Sequence, residues 1–125
     1  MITPAAVVAS VVLTGLAVFQ VLLAAGRPLG RFAWGGRSEV LPARLRVGSV
    51  VSICLYAFFA ALLLTAAGVL AVLPEGFVRV AVRVLTAYFG LGVVMNAASR
   101  SRPERLVMTP VALVLCGACL LVAAG

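Results

Sequence analysis

Four apolar stretches, at about residues 4–25, 50–73, 77–98 and 106–124, take up most of this 125-residue sequence. Each is close to the roughly 20 residues that a helix needs to cross a hydrocarbon core of about 30 Å. The pattern predicts an all-α polytopic membrane protein, a single transmembrane domain over residues 1–125 folded as a four-helix bundle. A hydrophobic fraction of 65% beside 10% charged residues lies far from the ~25% charge of soluble domains. A soluble chain this small would leave much of that apolar surface facing water, so the lipid bilayer is its expected partner.

The first stretch lies close to Met1, which raises a cleaved signal peptide as an alternative. Met1, Ile2 and Thr3 carry no charge, and the apolar run exceeds the usual length of about 7 to 15 residues. A retained helix is expected, with Thr3 as a hydroxyl cap and Pro4 in the first turn.

Arginine placement predicts orientation. Arg27, Arg31, Arg37, Arg44 and Arg46 fall between the first two stretches, and Arg100, Arg102 and Arg105 between the last two. The positive-inside rule puts these segments in the cytoplasm and both termini outside. Pro74, Glu75 and Gly76 read as a tight turn on the opposite face. The net charge of +7 is then an orientation signal beside anionic lipid, and nucleic acid is not an expected partner. Arginine without lysine, aspartate or histidine, beside abundant Ala, Val, Leu and Gly, suggests a GC-rich bacterial source and hence the bacterial cytoplasmic membrane.

Residues 26–49 form the one sizeable polar segment, a cytoplasmic loop by this reading. Its glycines and Pro28 work against a regular helix, while Phe32 and Trp34 suit headgroup depth. Arg27, Arg31, Trp34 and Arg37 are therefore candidate interfacial residues. The alternative is an anion cradle, in which glycine-rich backbone presents amides and arginines add charge. The segment lacks the Gly-Lys-Ser/Thr ending of a P-loop, and orientation with aromatic anchoring is favoured. Pro42 suits the first turn of a helix that carries Arg44 and Arg46 into the second span. Ser101 and Glu104 read as a capping box at the start of the fourth helix, and Pro110 as a bend within it.

Gly26, Pro28, Gly30, Gly35, Gly36, Leu41, Pro42, Arg46 and Ser49 make a G-x-P-x-G…GG…LP…R-x-x-S pattern, and Asn96, Ser99, Ser101 and Glu104 an N-x-x-S-x-S-x-x-E segment. In these the chain resembles a group of small uncharacterised bacterial four-helix integral membrane proteins. The resemblance implies four helices and no particular chemistry.

Ionisable groups inside spans are costly and mark functional hypotheses. Arg79 and Arg83 share a face of the third helix with Glu75, at i, i+4 spacing. They read as snorkelling side chains, with an outward anion vestibule as the alternative. Gln20 and Asn96 fall at matching depths and join Ser49, Ser52 and Ser99 as a polar cluster. It is either interhelical hydrogen bonding or a polar mouth for a solute or lipid headgroup. Cys116 and Cys119, with Cys54, lack the ligands of a zinc site, although soft monovalent copper stays open, and they read as packing residues. No metal or cofactor is expected. Small residues recur every fourth position at Ala6, Ser10 and Thr14, at Ala57, Ala61 and Thr65, and at Ala112 and Cys116, faces that suit close helix approach or a homo-oligomer.

Glu39, Glu75 and Glu104 are expected near the surface, so the usual acid-base groups of an enzyme are missing from the interior. The expected role is non-enzymatic, as a structural, assembly or partner subunit of a larger membrane protein. The alternative is a small transporter or channel for a solute, anion or lipid, formed by a homo-oligomer.

Overall fold

The computed structural model describes residues 2–125 and consists of four helices: α1 (Ile2–Ala24), α2 (Ala43–Ala66), α3 (Glu75–Ala97) and α4 (Arg102–Ala124). Each has 23 or 24 residues, roughly 35 Å at the helical rise. All four are long and apolar enough to cross a membrane, and the described residues contain no strand. The chain is a small multi-pass integral membrane protein built as a four-helix bundle.

Helix ends follow local chemistry. After α1, Gly26 takes a φ of 90°. Its N–H bonds to the Leu23 carbonyl, and the Arg27 N–H reaches back to Leu22, which is a Schellman stop. Gly68, with φ 79°, ends α2 in the same way through its bond to Thr65 and that of Val69 to Leu64. This stop lies inside the second apolar stretch. The helix is therefore displaced toward the N-terminus relative to the expected span, and it takes in Arg44 and Arg46 behind Pro42. The connection to α3 is correspondingly residues 67–74 and not a three-residue turn, with Pro74 capping α3 and Glu75 already helical. Thr3 lies within α1 and not at its cap, and Pro4 occupies the first turn, where its missing N–H has no helical partner to lose. Helix α4 continues through Pro110.

The tightest packing fills the end of the bundle away from the 26–42 loop. Ala5, Ala6, Ala9 and Leu13 of α1 meet Leu62 and Leu63 of α2 there, with Val78, Val82 and Leu85 of α3 and Leu115, Cys119 and Val122 of α4. The alanines bring helix backbones close, which favours dispersion contacts where lipid removes much of the hydrophobic drive. The small-residue stripes are thus only partly interior: Ala6 is buried, while Thr14 and Ala57 are exposed. A smaller cluster of Leu23, Ala33 and Leu41, flanked by Phe19, Leu29 and Leu45, folds the loop onto the end of α1.

Candidate functional site

The loop is held by specific contacts. Trp34, Gly35 and Gly36 all have left-handed backbone, with φ of 53°, 75° and 72°. Glycine adopts this conformation freely, whereas at tryptophan it costs on the order of 1 to 3 kcal/mol. The Trp34 ring lies against Gly48 of α2, where an added Cβ would come within 2.9 Å of it. Two side chains, from the cap and the first turn of α4, anchor the other side. The Ser101 hydroxyl donates to the Arg31 carbonyl, and the Gly35 N–H donates to Glu104 Oε2 at 3.4 Å. Ser101 occupies the cap position without making a side-chain capping bond, so the pair expected to cap α4 fastens the loop instead. One amide of the glycine-rich loop is thus turned to the protein's own Glu104 side chain.

Glu104 also departs from its expected surface position, because it is only 8% exposed. It stands in the wall between two cavities. The inner one, about 300 Å³, lies in the loop half of the bundle, above the packed core, and touches all four helices. Its polar groups include Gln20, Ser52, Tyr56, Asn96 and Glu104. The outer one, about 560 Å³, opens under the loop among Arg37, Ser38, Arg44 and Ser99. Trp34, Met95, Asn96 and Glu104 border both.

Gln20 is the most informative of these groups. It is 7% exposed and its amide is hydrogen-bonded to the Tyr56 side chain, while among the described residues Oε1 is left without a partner; turning the amide over would bring that oxygen to the Tyr56 hydroxyl. A buried amide oxygen left unpaired is expensive, and here it borders a cavity of ligand size. Asn96 spends its amide N–H on the Gly92 carbonyl at 2.8 Å, and Ser52 donates back to Gly48 at 2.9 Å. Ser49 is wholly buried and its hydroxyl is likewise without a partner among the described residues.

The structure therefore brings Gln20, Asn96, Trp34 and Arg37 to one end and leaves Arg79 and Arg83 elsewhere. Both arginines are exposed on α3 and border neither cavity. Arg79 meets Glu75 at 3.8 Å, an exposed pair of little energetic weight. Of the other loop candidates, Arg27 is exposed and Arg31 sets its guanidinium 4.9 Å from the Phe32 ring centre, a cation–π contact. The cysteines lie apart from the cavities: Cys119 is in the core, Cys54 is exposed, and the Cys116 thiol points to the Thr86 carbonyl at 3.7 Å.

Glu104 is the residue that sequence reasoning placed wrongly. Its capping-box spacing explained it locally, and nothing in the sequence signalled that the loop would return to cover it. No family model matches this chain, and no curated protein or solved structure matches it either.

Proposed function

We propose that this small integral membrane protein is non-enzymatic and that its loop-end cavity binds a small solute or the polar end of an amphiphile at the membrane. The observation that carries this reading is the convergence of Gln20, Ser52, Tyr56, Asn96 and Glu104, from all four helices, on the inner cavity. A gathering of buried polar groups around a cavity of ligand size suits a site that exchanges ligand or water. It suits a passive structural subunit poorly, since such a role needs no polar cavity. The loop faces the cytoplasm in this reading, on the arginine bias that flanks it, and the membrane is the bacterial cytoplasmic one.

Thiol labelling tests the reading. With Cys116 and Cys119 replaced by alanine, Ser52→Cys (combined with Cys54→Ala) is compared with native Cys54 in lipid nanodiscs, using N-ethylmaleimide. Ser52 borders the cavity, whereas Cys54 is exposed on α2 and borders neither cavity. The account expects the thiol at position 52 to react and Cys54 to stay protected by lipid. Protection of both would mean a closed, dry interior and would remove the binding reading.

A further inference from the structure

Deepening the binding role proposed above, we infer that the inner cavity takes an organic cation, an ammonium group of the alkylamine or quaternary type. The arginine-rich loop suggests the opposite sign, but its arginines line only the outer cavity, although Arg31 stacks on the ring of Phe32, one of the residues lining the inner one. Arg37 and Arg44 border the outer compartment, while no arginine borders the inner one. Glu104 supplies the single carboxylate there, 8% exposed. Among the described residues it makes no ion pair within 4.0 Å, the one such pair being Glu75 with Arg79. Its hydrogen bond from Gly35 is long, at 3.4 Å, and leaves most of its acceptor capacity free.

The remaining lining matches a cation as well. Six of the chain's nine aromatic side chains border this cavity: Phe19, Phe32, Trp34, Tyr56, Tyr88 and Phe89. Ring faces attract cations, most strongly where water is excluded, and aromatic boxes of this kind hold quaternary ammonium groups. The Gln20 amide adds an acceptor oxygen, which among the described residues has no partner. One buried carboxyl group, one amide oxygen and six aromatic side chains thus line a compartment that no arginine borders, beside one that Arg37 and Arg44 do border. An anion would find no arginine inside, and a neutral apolar ligand would leave most of the acceptor capacity of Glu104 unused.

The chain has a single tryptophan and it sits at this site, so its emission reports binding directly. The full chain in phosphatidylglycerol nanodiscs is titrated with choline chloride, with sodium chloride as the salt control, and with 3,3-dimethylbutan-1-ol, the uncharged carbon analogue of choline. The expected result is a saturable change with choline and binding about tenfold weaker or more for the analogue. Glu104→Gln should abolish the choline response while Glu104→Asp keeps part of it, with helix content followed by circular dichroism. Repeating the titration with phosphatidylcholine admixed tells the source of the cation. Competition marks a lipid headgroup and an unchanged response a free solute, and both support an ammonium site. Equal binding of choline and its analogue, or no saturable response, overturns the inference even if Glu104→Gln fails to fold. If the thiol at position 52 still reacts with N-ethylmaleimide, the cavity remains a binding compartment for something other than a cation.

Discussion

The Glu104 carboxylate, in the first turn of α4, accepts a hydrogen bond from the Gly35 backbone 69 positions earlier in the chain. This contact, with the Ser101 hydroxyl on the Arg31 carbonyl, closes the 26–42 loop over the bundle end. The same carboxylate separates an arginine-rimmed outer space from an aromatic inner one. Loop fold, cavity and charge distribution thus depend on one short segment of α4.

Releasing that segment should open the loop. Ser101→Ala removes the donor to the exposed Arg31 carbonyl, at a stability cost of about 0.5 to 1 kcal/mol. Limited trypsin digestion should then cut faster after Arg31 and Arg37. An unchanged digestion rate would show that the loop is held by other contacts.

Trp34 should respond to α2. Leucine at Gly48 would project into the indole, and overpacking of this kind costs about 1 to 3 kcal/mol. Gly48→Leu should shift tryptophan emission toward that of an aqueous indole and lower the melting temperature. Emission identical to that of the unsubstituted chain would contradict the placement of the ring.

The helices were legible because hydropathy and length alone specify them, and the loop residues were legible as a group. The end of α2 was not read correctly, although Gly68 is a plain helix stop, because the apolar run continues past it to Leu73. Gln20 and Asn96 emerged from depth matching on two helices, and both border the inner cavity. Glu104 was hidden by a local pattern with its own explanation, and the aromatic lining by its spread over α1, α2, α3 and the loop. Such a constellation is a property of helix packing, which periodicity within one segment does not encode.

The α3 arginines should matter little to binding. Both are exposed and border neither cavity. Arg83→Leu should change stability by no more than about 0.5 kcal/mol and leave both tryptophan emission and labelling at position 52 as they were. An anion current in reconstituted vesicles that this substitution abolished would point to a vestibule on α3 instead.

Orientation follows from charge and is open to direct measurement. Cysteines introduced at the two ends of the chain should react with a membrane-impermeant maleimide added to intact cells, and one placed at Ser38 should not. Protection of the ends together with reaction at Ser38 would reverse the proposed topology.

The central claim is that the loop half of the bundle keeps an occupied or water-filled compartment around Gln20. A density map of the full chain in phosphatidylglycerol nanodiscs with choline, at a resolution that shows ordered water, tests it most directly. The account predicts density within hydrogen-bonding or cation–π distance of Gln20, Tyr56 and Glu104, beneath a closed loop. Helices α2 and α3 drawn together, and no space between Trp34 and Phe89, would contradict it.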